Sequence, residues 1–313
     1  MEPSASFPET PASPGASDAF SALAGTLRGE LKRHCYRMMG GVHDAEDCVQ
    51  EALLRGWRDY PGLRDKGAGR AWLYSIATRV CLDALRTRRR RQTLFGPSLD
   101  EAEPGHEPWV EPYPGSETAA ERSRDIRLAF VSLLHTVSPK ARAVLLLHDG
   151  AGLTATEAAS ALGLTVASAR SALQRARAAL PPSAPPVCVD IPIDAYVDAW
   201  NRADLDALIG LLNRDIVMTM PPWHKTFLGR ASVTAFMTSV WPRYDGFRTV
   251  ELIANGQPAM ALYSRRGDGP YRAHSLHVLA GDGQVDELIL YAPPLAAALF
   301  PAFGLAEVLA DAP

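Results

Sequence analysis

Four cysteines in 313 residues, with no Cys-x-x-Cys pair among them, leave this sequence without a disulfide framework or a zinc-finger spacing. Cys35, Cys48, Cys81 and Cys188 read as reduced thiols, in helices or beside a linker. His34 next to Cys35 is one adjacent pair, too little for a metal site, so neither a metal nor a cofactor is expected. No apolar run approaches the ~20 residues of a membrane span. Met1–Ser17 is rich in Pro, Ser and Ala and lacks both a basic start and an apolar core. It is therefore neither signal peptide nor anchor, and disorder is expected there. A reducing cytoplasm is the compartment these absences suggest. Paired carboxylates and nucleophile–base arrangements are lacking too, which argues against an enzyme.

Net charge is small, −3, but its distribution is uneven. Residues 19–94 hold 15 Lys/Arg against 8 Asp/Glu, and residues 122–180 hold 8 against 3. Between them, residues 95–121 hold 7 acids and no base. After them, residues 181–313 hold 9 bases against 14 acids. Two basic segments joined by an acidic tether suggest two polyanion-binding modules on one chain. A chain of this length has room for two or three domains.

The second basic segment contains TATEAASALGLTVASARSALQRARAA, which reads as two successive helices around a turn at Gly163. At about 100° per residue, Val166, Ala169, Leu173, Ala176 and Leu180 share the side that packs on the preceding helix. Ser168, Ser171 and Arg175 point away, flanked by Arg170, Gln174 and Arg177. Small hydroxyls let a helix approach base edges, while the longer side chains reach bases or phosphates. This is a helix-turn-helix pattern; an ordinary surface helical hairpin is the alternative.

The first basic segment also reads as helical. Asp44 can cap a helix through AEDCVQEALLRGWR. Its apolar side is Ala45, Val49, Ala52, Leu53 and Gly56, with Trp57 at the margin. The opposite side holds Asp47, Glu51 and Arg58, with Gln50 at its edge and Leu54 among them. An apolar residue ringed by carboxylates and an amide suits a docking face, although single exposed leucines are ordinary. A further helix from about Gly69 to Arg91 has a core stripe of Leu73, Ile76, Ala77, Val80 and Ala84. Trp72, Arg79, Arg86 and Arg89 occupy another side. It ends in RTRRRR, five arginines in six positions, more than helix capping requires. Phosphate contact is the favoured reading, with base stacking by the aromatic at its start.

DAEDCVQEALLRGW, then RAWLYSIATRVCLDALR, then the helix-turn-helix, in that order over residues 19–180, resemble sigma-70 family initiation factors of the extracytoplasmic-function (ECF) group. The chain resembles the sigma G-like kind, with a fused C-terminal domain. The resemblance implies that the first module binds the clamp helices of the RNA polymerase beta-prime subunit and melts the −10 element. It implies that the second reads the −35 element of promoter DNA and that the chain contacts the beta subunit as well. Carried over, Asp47, Gln50, Glu51 and Leu54 would face the polymerase. Trp72, Arg79, Arg86 and the loop Pro61–Gly69 would face the −10 strand, with Arg89 added by the arginine run. Ser168, Arg170, Ser171, Gln174 and Arg175 would face the −35 duplex. Many relatives have Asn where this chain has Arg79. An amide both donates and accepts, whereas a guanidinium only donates, so the identity of the −10 bases stays open.

Pro and acidic residues forbid a core in residues 92–121, expected to be an extended linker. Its WVEPYP, residues 109–114, resembles the linker motif of relatives with an extra C-terminal domain. Trp109 and Tyr113 want a surface to rest on; a Pro-rich spacer is the bland alternative. PPSAPP opens a second linker, 181–189. Residues 190–313 then give two short helices (Ile193, Tyr196, Val197 and Trp200, followed by Leu205, Leu208, Ile209 and Leu212). A strand from 215, a helix near Ala231–Val240 and strands at 247–254, 258–266, 271–280 and 284–291 follow. Asn-Gly and Gly-Asp-Gly mark turns between these strands.

The expected fold class is thus multi-domain. Two all-α modules occupy 19–91 and 122–180, after a disordered 1–18. An α+β cone with a curved antiparallel sheet, resembling the SnoaL-like or nuclear-transport-factor-2-like fold, occupies 190–313. Cyclases on that fold use an Asp or His; candidates here are His224, His274, His277 and Asp215. Strand alternation puts His274 and His277 on opposite faces, and Met218, Met220 and Trp223 read as packing, with a small-molecule pocket an open alternative. The leading reading is a promoter-specificity subunit of RNA polymerase, with its own C-terminal domain acting on it in cis. Among relatives with this fused domain, that arrangement replaces a separate membrane anti-sigma partner. Two other readings remain: a free-standing helix-turn-helix regulator with a ligand-sensing tail, and a cyclase-type enzyme tethered to DNA.

Overall fold

The computed structural model describes residues 14–95, 109–115, 128–180, 191–223 and 225–309. The expectations for residues 1–13, most of the acidic tether, the Pro-rich linker with Cys188, and His224 lie outside the described residues. The helices in order are α1 Pro14–Met39, α2 Val42–Asp59, α3 Gly69–Phe95, α4 Leu128–Thr136, α5 Pro139–Leu145, α6 Ala155–Leu162 and α7 Val166–Ala179. Next come α8 Ile193–Asn201, α9 Leu205–Gly210, β1 Leu212–Met220, β2 Lys225–Leu228 and α10 Arg230–Val240. The strands β3 Gly246–Ala254, β4 Gln257–Arg265, β5 Arg272–Gly281 and β6 Val285–Tyr291 precede α11 Leu295–Leu299. Two compact units result: one gathers the residues up to Met39, Asp44–Arg86 and Val137–Ala179; the other gathers Gly40–His43, Thr87–Thr136 and Leu180–Pro313.

In the first unit, apolar side chains three and four apart on each helix turn inward. Leu27, Leu31 and Cys35 of α1, Ala45, Val49 and Ala52 of α2, and Leu73, Ala77, Val80 and Cys81 of α3 are all buried. A Cβ at Gly56 would lie 2.8 Å from Leu73 Cδ1, so glycine there lets α2 approach α3 without displacing that side chain. Cys35, Cys48 and Cys81 are free thiols. Hydrogen bonding to Cys81, then burial, pushes the Cys48 thiol up, so it stays protonated. His34 is fully buried and bonds Thr78 Oγ1 at 2.8 Å. Burial, then the Arg37 charge, pulls its pKa down to about 3.

The same unit contains the helix-turn-helix. Thr154 caps α6 and forms a capping box with Glu157, and Gly163 ends the helix at φ 63°. Ala169, Leu173 and Ala176 of α7 are buried, as the helical period requires, and Ala172 joins them.

The second unit carries a six-stranded sheet in the order β2-β1-β6-β5-β4-β3. Pairing is antiparallel except between β1 and β6, which run parallel, so the sheet is mixed rather than wholly antiparallel. Strands far apart in sequence, closed by a crossover, need no hairpin and can pair parallel. Tyr196, Trp200, Leu208, Met218, Met220, Val233, Met237, Phe247 and Met260 belong to one buried core cluster. Met218 and Met220 are packing residues, as the sequence implies, but Trp223, expected to pack with them, is 50% exposed.

Several boundaries moved. The first helix starts at Pro14, inside the segment expected to be disordered, and α3 runs on to Phe95. Val42, not Asp44, begins α2, and Asp44 sits in its first turn. Leu212 opens β1 because it pairs with Val285 of β6. Neither the short edge strand β2 nor α11 was expected from the sequence.

Candidate functional site

On α2, Asp47 and Gln50 are exposed, Glu51 is half-exposed, and Leu54 is 63% exposed. Glu51 accepts from Arg55 Nε at 2.6 Å, which orients the carboxylate along the helix surface. One turn beyond Leu54, Trp57 is 52% exposed. The sequence reading put it at the edge of the buried side; its spacing of three from Leu54 was the signal that both belong to one outward patch. Glu46, by contrast, faces inward to Lys32 at 3.1 Å and to Arg28 of α1. Burial pushes its carboxyl up, but hydrogen bonding and charge from Lys32 leave it below the usual range.

On α3, Trp72 is half-buried, with its ring 6.1 Å from that of Tyr60. Residues 61–68 beside it are almost all exposed. Arg86 pairs with Asp83 at 2.9 Å, and Arg89 is exposed. Arg79 is exposed overall, yet its Nε donates to the Ala161 carbonyl of α6 at 2.6 Å. Near the start of the helix, Arg70 donates to the Ala151 carbonyl at 2.7 Å and to Glu30 at 2.8 Å; Tyr74 adds a bond to Glu30 at 3.0 Å. Burial raises the Glu30 pKa, but these two donors leave it lowered overall.

On α7, Ser168, Arg170, Ser171, Gln174 and Arg175 are all exposed. Thr165 donates to Ser168 at 2.8 Å, and Arg175 donates to Ser171 at 2.6 Å, which lays the guanidinium along the outer face. Arg177, a flanking residue in the sequence, instead pairs with Asp149 at 2.6 Å.

The WVEPYP segment lies on the sheet of the second unit. Tyr113 N–H donates to Asn255 Oδ1 at 2.7 Å, and Asn255 N–H donates to the Tyr113 carbonyl at 2.8 Å. Pro114 bridges Ala254, Gly115 donates to the Ile253 carbonyl, and Tyr291 donates to the Val110 carbonyl at 2.7 Å. Val110 and Tyr113 are buried, and Trp109 is half-buried. Asn255 adopts φ 54° in the expected Asn-Gly turn, and there it also receives the linker. On the other side of the segment, Glu111 N–H donates to the Gly40 carbonyl at 2.8 Å. Its carboxylate accepts from Val42 N–H, the first residue of α2, at 2.7 Å. Asn255 and Tyr291 were missed as linker partners, since an Asn-Gly pair signals only a turn.

In the interior of the second unit, His277 bonds Tyr196 Oη at 2.9 Å and Ser275 Oγ at 2.7 Å, all three buried. Burial, then the neighbouring His274, pulls its pKa down to about 3. A β-bulge between Leu262 and Tyr263 in the β4–β5 pairing breaks the alternation assumed for the two histidines. Rather than facing opposite ways, both join one aromatic cluster: His274 lies 4.8 Å from Tyr244, Tyr244 5.8 Å from Phe247, Phe247 5.0 Å from Trp200 and Trp200 5.3 Å from His277. Asp215 is exposed and lines a separate open groove with Arg214 and Arg230. Asp215 is therefore not brought together with the two histidines. Among the described residues no cluster of three or more His, Cys, Asp or Glu could hold a metal, and no helix is long and apolar enough to cross a membrane.

Three family models match in order: sigma-70 region 2 over residues 23–91, sigma-70 region 4 over 127–180 and a SnoaL-like domain over 193–286. The chain is 38% identical to the ECF RNA polymerase sigma factor SigG of Mycobacterium tuberculosis, across 93% of this chain and 85% of that protein. It is 30% identical to the sigma factor SigJ of the same organism, across 83% and 87%. The crystal structure of SigJ superposes with a TM-score of 0.62 at 28% identity, covering 91% of this chain and 99% of that one. Sigma factors act by binding, not by catalysis, so both the free-standing regulator and the tethered cyclase are set aside. The chain belongs to the extracytoplasmic-function group of the sigma-70 family, the sigma factors that direct transcription initiation by RNA polymerase, and it carries a SnoaL-like domain after region 4.

Proposed function

We propose that this chain docks on core RNA polymerase through the outer face of α2 and reads a promoter with two further surfaces. Asp47, Gln50, Glu51, Leu54 and Trp57 form the docking face on the beta-prime clamp helices. Leu54 and Trp57 supply apolar area, and the carboxylates select a basic partner. Trp72, Arg79, Arg86, Arg89 and the loop before α3 meet the −10 strand, where an aromatic and arginines suit stacked bases and phosphates. Ser168, Arg170, Ser171, Gln174 and Arg175 meet the −35 duplex. The observation that carries this reading is the exposure of Leu54 amid acids on a helix whose other side is buried.

The SnoaL-like domain acts in cis through the linker. Asn255 and Tyr291 hold residues 110–114, and Glu111 caps the turn leading into α2. The state of the tail thereby bears on the segment that joins the two DNA-reading modules. Run-off transcription with purified core polymerase tests both parts. The full chain yields transcripts from its promoter, and a chain lacking residues 191–313, or one carrying Asn255→Ala, gives an altered yield or core affinity. Absence of transcripts from the full chain refutes the first part. Identical output from all three refutes the second.

A further inference from the structure

Three arginines cross between the two helical modules of the first unit, and each ends on a backbone carbonyl near the end of a helical segment. Arg79 of α3 reaches Ala161, in the last turn of α6, at 2.6 Å. Arg70 reaches Ala151, directly after the turn Leu146–Gly150, at 2.7 Å. In the opposite direction, the buried Arg142 of α5 reaches Met38, in the last turn of α1, at 2.6 Å. The final carbonyls of a helix lack intrahelical partners and sit at the negative end of its dipole, so they are ready-made acceptors for cations. Charged donors on such acceptors make strong bonds. They also offset a cost, since both modules carry excess positive charge and repel one another.

We infer that these bonds form a latch that closes region 4 onto region 2 in the free chain, with Arg79 as its movable part. The recognition face of α7 takes no share in the latch and stays open. Arg79 does take part. On the reading that Arg79 belongs to the −10 surface, one guanidinium has two competing partners, the Ala161 carbonyl in the closed chain and the DNA strand in the open one. With its Nε–H held by region 4, the orientation of its remaining donors is set by that carbonyl rather than by the strand. Opening frees the whole fork, and the apparent affinity for the strand falls with the closed fraction. The residue type matters as well. Arginine spans from α3 to α6 with a fixed fork of donors, a reach that a shorter side chain lacks.

The test uses the full chain with spin labels at Arg58→Cys and Ser160→Cys, in a Cys188→Ser background. Cys35, Cys48 and Cys81 are buried and resist labelling. Electron–electron resonance reads the distance between modules, and binding of a fluorescent oligothymidylate strand reads the −10 surface. The latch predicts one narrow distance in the parent chain. Arg70→Ala and Arg79→Ala lengthen and broaden it. Glu30→Gln, which removes the charge of the region 2 partner of Arg70 and spares the carbonyl bond, leaves it unchanged and controls for local damage to α3. Arg70→Ala raises strand affinity about tenfold by freeing Arg79, and Arg79→Ala shows no such gain. An unchanged distance in both arginine variants overturns the latch whatever the strand does. Lengthened distances with equal gains in strand binding uphold the latch and remove Arg79 from the −10 surface.

Discussion

The two units place their polar chemistry in opposite directions. In the helical unit, Asp47, Gln50, Ser168, Arg170 and Arg175 face solvent with Leu54 and Trp57 among the exposed groups. In the sheet unit, His277, Tyr196, Ser275 and Asn255 are buried and bonded to each other or to the linker. Outward polar groups cost little to keep and are available to partners. Inward ones must be satisfied within the fold, so they build structure. The difference teaches that substitutions in the first set should alter binding and leave folding alone, while those in the second should alter stability and leave the −35 recognition face alone.

Charge reversal at Glu51 breaks the comparison most sharply if it fails. Glu51→Lys should weaken core capture by about 2–5 kcal/mol, the cost of opposing a desolvated charge. Thermal unfolding should shift by no more than about 0.5 kcal/mol, as for other exposed sites. Acid comes next. His277 and His274 are held neutral, with pKa values pulled down by burial to about 3 and about 4. Their unfolded forms take up protons below roughly pH 6.5, so the unfolded chain binds more protons and stability falls as pH drops through that window. From pH 7 to pH 5 the loss should be roughly 2 kcal/mol per histidine. His34 adds one such group to the helical unit against two in the sheet unit, so the sheet unit should lose more, as hydrogen exchange followed over pH would show.

Smaller effects refine the contrast. Arg175→Ala should weaken a −35 duplex by ~1–3 kcal/mol and spare core capture, as gel shifts and pull-downs would report. Asn255→Ala leaves the Tyr113 amide without its acceptor and should cost about 1–2 kcal/mol of sheet-unit stability in calorimetry. Its −35 affinity should be unchanged. A loss of duplex binding in Asn255→Ala, or of stability in Arg175→Ala, would erase the distinction between the units.

The outward surfaces were legible in the sequence because a helix announces its faces. Ala169, Leu173 and Ala176 had to turn inward, and that alone sent Ser168, Ser171 and Arg175 outward. The same period exposed Leu54. What the sequence hid depends on pairings between distant residues. Arg79 meets a carbonyl 82 positions away, and a backbone acceptor leaves no mark on the residue type that carries it. The reciprocal bonds of Tyr113 and Asn255, 142 residues apart, were hidden likewise, although Tyr113 itself stood out as an aromatic that needed a surface. A one-residue bulge near His274 defeated the alternation rule, which assumes an unbroken ladder. Parallel pairing of β1 with β6 escaped for a related reason, since turn signals report only neighbouring strands.

The most direct measurement of the central claim is co-elution of the purified chain with bacterial core RNA polymerase on size exclusion. The account predicts a one-to-one complex that Leu54→Asp prevents while the variant stays folded. A folded parent chain that elutes apart from the core would contradict it.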